Sequence, residues 1–235
     1  MKTYHPLIQP ALALAFTGLL LGCGSDSSDT PTPVSISTTA SYHISATNLT
    51  NSQPLSPFLV TLHQSGGLWQ VGETASNALE ILAEGGDSSA LAANAEVMAS
   101  VADGAPLMPG ESSEQVLSYQ GEAHLFSFVA MLVNTNDAFT GLTQLDLQSL
   151  AVGDSIDLQL PVYDAGTEAN TERAGTIPGP ADGGEGYNGS RDDKLDVVTM
   201  HPGVVSADDG LSQSVLLQQH KFANPVVTLT ITRQE

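Results

Sequence analysis

The chain has 235 residues, and 26 acidic side chains against 6 basic ones give it a formal net charge of −20 at pH 7. No Lys or Arg lies between Lys2 and Arg173, which argues against a nucleic-acid partner, because phosphate backbones are held by Lys and Arg. Its single cysteine excludes an internal disulfide and any thiolate cluster on a metal, while 41% hydrophobic residues suffice for one core-bearing domain.

Lys2 is followed by an uncharged apolar run, Leu7–Leu21, and then by Leu20-Leu21-Gly22-Cys23, which fits a lipobox. Residues 1–22 are therefore expected to be an export signal cleaved before Cys23. Interrupted by Pro10, the run is shorter than the roughly 20 apolar residues of an ordinary spanning helix. Acyl chains on Cys23 would anchor the protein to a membrane at about 0.8 kcal/mol per buried CH₂, so stable attachment takes more than one chain. Gly24, rather than Asp, after the lipid site favours the outer membrane. Residues 23–40 are rich in Gly, Ser, Asp, Thr and Pro and read as a flexible tether.

From Ser41 the pattern alternates, with Tyr42, Ile44 and Ala46 on one face of an expected strand and His43, Ser45 and Thr47 on the other. Phe58, Val60 and Leu62 repeat the alternation after the turn-forming Asn51–Pro57. Ala75–Ala99 reads differently: Ala78, Leu79, Leu82 and Ala83 fall at helical spacing after the N-cap candidate Ser76. Gly85-Gly86 ends that helix, and a second Ala-rich helix is expected from Ser88. Further strands are expected at Gln115–Tyr119, Leu125–Val133, Ser155–Val162 and Val226–Thr232. Leu125–Val133, apolar on both faces, should be central. Gly175–Ser190 reads as an exposed loop. Short strands, turn-rich connections and one helical insertion predict a mainly β protein, an antiparallel β-sandwich occupying residues 41–235.

Two acidic segments follow predicted strands, Asn134-Thr135-Asn136-Asp137 and Asp164-Ala165-Gly166-Thr167-Glu168. If both loops lie at one end of the sandwich, Asp137, Asp164 and Glu168 can converge on a hard cation such as Ca²⁺, which takes six to eight oxygens at about 2.3–2.6 Å. Spacing alone is weak evidence for that and favours solvated turns, since Asp-rich loops are common in acidic proteins and neither segment has the EF-hand order. The six histidines form no HExxH or HxH pair, and there is no GxSxG elbow, Walker loop or Rossmann glycine pattern. His201-Pro202-Gly203 and Asp208-Asp209-Gly210 look like turns. A metal-dependent hydrolase that uses the same carboxylates with His201 or His220 stays open as the alternative.

Several ordered motifs carry a resemblance: Asn48-Leu49-Thr50, Gln53-Pro54-Leu55-Ser56-Pro57, Val71–Ser76, Met131–Leu142 and Tyr163–Glu168, with His201-Pro202-Gly203 and Asn224-Pro225 further on. Together they resemble the spondin N-terminal domain family over about Ser41 to Arg233. The resemblance implies a C2-like β-sandwich, no enzymatic activity and Ca²⁺ held by acidic loops. It matches Asp137 and Asp164 to family ligands and Glu168 to a position where the family has Asp. Ala138 replaces the Trp usual in animal members, and the domain lacks their cysteines. The function so implied is a lipid-anchored, Ca²⁺-binding envelope module for adhesion or recognition, with an envelope or extracellular protein or glycan as partner.

Overall fold

The computed structural model describes residues 39–190, 195 and 197–235, all within one compact unit spanning Ser37–Glu235. The signal segment, Cys23 and all of the expected tether but Thr39 and Ala40 lie outside the described residues. Among the described residues, ten strands build two antiparallel sheets. The smaller contains β1 (Thr39–Asn48), β4 (Ser112–Gln120), β7 (Ser155–Leu160) and β10 (Val227–Arg233), in the order β4-β1-β10-β7. The larger contains β2 (Leu59–His63), β3 (Val97–Ala102), β5 (Leu125–Met131), β6 (Ala138–Asp146), β8 (Val162–Asp164) and β9 (Thr199–Met200), in the order β3-β2-β5-β6-β8-β9. The antiparallel β-sandwich is thus the observed fold.

The alternation expected for β1 is present: Tyr42, Ile44 and Ala46 are buried, and Ile44 and Ala46 stand opposite Ile231 and Leu229 of β10. They meet Phe58, just before β2, and Val60, Leu62, Phe126 and Phe128 of the larger sheet in the main core. The rings of Phe58 and Phe128 stack 5.1 Å apart within it. Such a core is the chief stabilising contribution, at about 25 cal/mol per Å² of apolar surface removed from water.

β2 does not alternate as expected, because all five of its residues are buried. Its second face is covered by α1 (Asn77–Gly85) and α2 (Ser89–Ala92), so Leu59 joins Leu79, Leu82, Leu91, Val129 and Phe139 in a second core. α1 starts at the expected cap, where Ser76 Oγ accepts the Leu79 N–H at 3.2 Å. It stops at Gly86, whose φ of 73° suits a residue without Cβ. The second helix, however, is a single turn. Val97–Ala102, which falls partly in the expected helical stretch, is instead edge strand β3, because β2 offers it a ladder in which Val101 pairs with Val60.

Two further departures position the site. Ser155–Val162 is not one strand: Pro161 has no N–H with which to continue a ladder. β7 therefore ends at Leu160 beside β10, and the chain crosses to the other sheet as β8 beside β6. β6 itself was not anticipated. The Gly175–Ser190 segment lacks regular structure but is not wholly exposed, since Ile177 is buried in a small core with Val204 and Leu216. Asp208–Gly210 does lie in a 3-10 turn, as expected, whereas His201-Pro202-Gly203 is irregular chain in which the Gly203 N–H donates to His201 Nδ1.

Candidate metal centre

Asp137 immediately precedes β6 and Asp164 ends β8. The β6–β8 register sets Ala138 opposite Asp164, so the two carboxylates lie across one ladder. Asp137 Oδ2 accepts the backbone N–H of Thr167 at 2.9 Å and of Glu168 at 3.0 Å, fastening the turn after β8 onto the start of β6. Asp164 Oδ1 accepts from the Gly166 N–H at 2.8 Å and Oδ2 from Asn170 Nδ2 at 2.6 Å. Gly166 has φ 75°, and a Cβ there would stand 2.5 Å from the Val197 carbonyl oxygen. Glu168 Oε2 accepts from Asn136 Nδ2 at 3.2 Å. The three expected residues thus gather at one end of the larger sheet, and all are buried: Asp137 is 0%, Asp164 6% and Glu168 4% exposed.

The electrostatics centre on Asp137. Burial holds its carboxyl well above the usual aspartate range, and the charge of Asp164 raises it further. The Thr167 N–H works the other way, and the charge of Glu84 adds to the rise. Asp137 Oδ1 is buried and has no hydrogen-bond partner among the described residues.

Two acidic residues near this site were not foreseen. Glu84, in the last turn of α1, is 1% exposed, and its Oε2 accepts the Asn188 N–H at 3.1 Å. Its place beside the apolar stripe of a helix gave no signal, because a helical Glu ordinarily faces solvent. Glu172 is also buried, with φ 45°, a left-handed conformation unusual for a residue bearing a Cβ. Its N–H donates to Asn136 Oδ1 at 3.2 Å, and its Oε1 accepts the Val205 N–H at 3.3 Å. Oε2 has no hydrogen-bond partner among the described residues, and burial pushes the carboxyl up to about 7.

The two histidines of the hydrolytic alternative differ in their placement. His201 lies near enough to Asp164 for that charge to act on it, although burial has the larger effect and lowers its pKa. Its Nδ1 is occupied by the Gly203 N–H at 2.9 Å. His220 turns Nδ1 to the Leu217 N–H at 2.9 Å and gives its carbonyl to Gln53 Nε2. Among the described residues, no three His, Cys, Asp or Glu side chains already stand at mutual distances suited to holding a metal ion. Fit to a cation therefore rests on the donor chemistry of Asp137, Asp164 and Glu168, which is hard carboxylate oxygen, and on the orphaned Asp137 Oδ1. Both suit Ca²⁺.

Two face-packed antiparallel sheets with acidic loops gathered at one end define a β-sandwich of the C2-like class. Within it, the chain belongs to the spondin N-terminal domain family: the Spondin_N family model matches residues 41–176, more than half of the chain. That span runs from β1 through the Asp164–Glu168 turn. The later motifs at His201 and Asn224 fall beyond it. A search of curated proteins returned no match.

Proposed function

We propose that this protein is a lipid-anchored, non-enzymatic module of the cell envelope, which binds Ca²⁺ through Asp137, Asp164 and Glu168 and offers a recognition surface to an envelope or extracellular protein or glycan. The observation that carries the metal reading is Asp137 Oδ1, a fully buried carboxyl oxygen with no hydrogen-bond partner among the described residues, beside a second buried aspartate. A buried polar atom left unsatisfied costs about 1–3 kcal/mol, more when charged, and a cation would offset that cost. A bound Ca²⁺ supplies positive charge and a shared coordination shell, joining the Asp137 loop to the Asp164–Glu168 turn.

The role of the ion would be structural. Binding only the folded state, it would add about 2.7 kcal/mol of stability at a hundredfold excess over Kd. The non-enzymatic reading is supported by the enclosure of the site, since Asp137, Asp164, Glu168 and His201 are all buried and offer a substrate little surface. Attachment to the membrane, outer membrane by preference, is supported by the sequence around Cys23. Exchange of Cys23 for Ser should abolish incorporation of labelled palmitate.

The test is isothermal titration of Ca²⁺ into the full chain carrying Cys23→Ser, beside Asp137→Asn, Asp164→Asn and Glu168→Gln. Saturable binding of one ion per chain, weakened in all three variants, is the expected result. Absence of heat and of any Ca²⁺-dependent thermal shift in the parent would overturn the metal reading.

A further inference from the structure

β6 runs on past the strand that flanks it. β8 pairs with it only from Ala138 to Thr140, since Pro161 starts the crossing between sheets just before β8, while β6 continues to Asp146. Beyond the end of that pairing lies a cavity of about 420 Å³, the size of a small-ligand pocket. Trp69, Gln70 and Val71 of the β2–α1 connection line it, with residues 142–144 of β6 and Tyr163 of β8. In a chain of net charge −20, none of these side chains is charged.

The backbone is shaped to bring Gln144 to this cavity. Thr143 and Gln144 together oppose Ser127 of β5, a bulge in which Gln144 takes φ 60°. Buried Ser127 holds the bulge: its Oγ accepts the Gln144 N–H at 3.2 Å and donates to Thr143 Oγ1 at 3.2 Å. The Leu68 N–H reaches the same Thr143 Oγ1 at 2.9 Å. Gly67 leaves room for the pair, since a Cβ there would stand 2.7 Å from both Gln144 Cγ and Thr143 Oγ1. A bulge re-aims side chains, and a left-handed residue bearing a Cβ persists only where its surroundings impose it. Trp69 and Tyr163 add apolar wall, their ring centroids 5.8 Å apart and Tyr163 backed by Phe139 at 5.4 Å. Among the described residues, the Tyr163 hydroxyl and the side-chain amides of Gln70 and Gln144 have no hydrogen-bond partner.

Hydroxyl and carboxamide groups both donate and accept, as sugar hydroxyls do, and aromatic rings suit the apolar C–H face of a sugar. A phosphate, a carboxylate or a metal ion would find no charge here to hold it. We infer that this cavity binds an uncharged glycan, with Gln70, Gln144 and Tyr163 as its hydrogen-bonding residues and Trp69 in its wall. The inference rests on the recognition part of the proposed function, to which it gives a place and a ligand class, and it needs neither the lipid anchor nor Ca²⁺.

Trp69 is the only tryptophan, so its fluorescence reports on the cavity. The full chain carrying Cys23→Ser is titrated with uncharged oligosaccharides of glucose, mannose, galactose and their N-acetylamino forms. At least one of them should shift the Trp69 emission saturably. Gln144→Gly, for which φ 60° carries no strain, should keep a Tm close to that of the parent and lower the affinity at least about tenfold. Tyr163→Phe, which removes only the hydroxyl, should do the same. No saturable shift with any of these sugars would overturn the inference and leave Ca²⁺ binding and a protein partner untouched. A sugar bound with full affinity by both variants would overturn the cavity as the site while glycan recognition stands. Should Gln144→Gly fail to fold, Gln70→Ala is titrated beside Tyr163→Phe, and full affinity in both overturns the assignment.

Discussion

Asp137 Oδ2 lies 2.9 Å from the backbone nitrogen of Thr167, and through this contact the start of β6 holds the turn that follows β8. The same oxygen takes the Glu168 N–H at 3.0 Å, so two buried donors depend on it. Asp137→Ala leaves both without their acceptor and is expected to cost about 1–3 kcal/mol even in chelator. Asp137→Asn keeps a carbonyl oxygen for these donors and should cost less. Urea unfolding in the presence of chelator separates the two variants; equal midpoints would show that the clamp contributes nothing to stability.

Asp164 has a different balance. Among the described residues its two oxygens bond only within its own turn, to the Gly166 N–H and to Asn170 Nδ2. Asp164→Asn can keep the first bond, and reorientation of the Asn170 amide can restore the second. In chelator its thermal midpoint should stay close to that of the parent. In Ca²⁺ the variant should lose most of the ion-dependent stabilisation, about 2.7 kcal/mol at a hundredfold excess over the parental Kd. Melting curves with and without Ca²⁺ read the difference directly, and equal losses in both would remove Asp164 from the ligand set.

Glu172 sets the pH dependence expected of the fold. Burial raises its carboxyl from the ordinary 4.5 to about 7, so the folded protein binds a proton that the unfolded chain has released. The resulting contribution is fully present below pH 4.5 and is lost as pH rises through 7. At 1.36 kcal/mol per unit it has a ceiling of about 3 kcal/mol. Glu172→Gln, neutral at every pH, should match the parent near pH 4.5 and exceed it in stability at pH 8. Thermal melts across this range in chelator check the sign, and parallel profiles would exclude Glu172 as the source.

Much of the architecture was legible because alternation is a direct consequence of the strand's two-residue period. Tyr42, Ile44 and Ala46, and likewise Val227, Leu229 and Ile231, announced which face of the smaller sheet is buried. β6 escaped notice because Thr140, Gly141, Thr143 and Gln144 break any apolar period, and Gln144 adopts φ 60° within the strand. Tertiary packing overrides those local preferences: Gly141 is accommodated where a Cβ would stand 2.2 Å from the Phe128 carbonyl oxygen and 2.7 Å from Trp69 Cη2. The Ala-rich composition around Ala90–Ala99 suggested helix, while the unpaired edge of β2 drew Val97–Ala102 into a strand. At the site, Asp137, Asp164 and Glu168 were readable because they cluster in short acidic loops. Glu84 and Glu172 were not, because their burial is created by the docking of α1 and of the Val204–Leu216 segment, which no local pattern encodes.

Gly166 joins these lines of reasoning at one backbone position. The turn between Asp164 and Glu168 requires φ 75° there, a left-handed conformation that costs a residue with a Cβ roughly 1–2 kcal/mol. Sterics add to this, since an added methyl would approach the backbone of Val197 at 2.5 Å from its oxygen and 2.8 Å from its nitrogen. Gly166→Ala should therefore either displace the turn or push back the Val197 segment. Displacement would pull Thr167 and Glu168 away from Asp137 Oδ2, with loss of stability in chelator and a weaker Ca²⁺ response. If only the Val197 segment yields, stability falls by a similar amount but Ca²⁺ affinity is kept. Because the turn is held by the Asp137 bonds to Thr167 and Glu168 and by Asp164 to Gly166, whereas among the described residues no hydrogen bond joins Val197 itself to the turn, the second outcome is the expected one. Parallel Ca²⁺ titration and denaturant unfolding of Gly166→Ala decide between them: a Kd raised by more than about tenfold would show that the turn is the softer element.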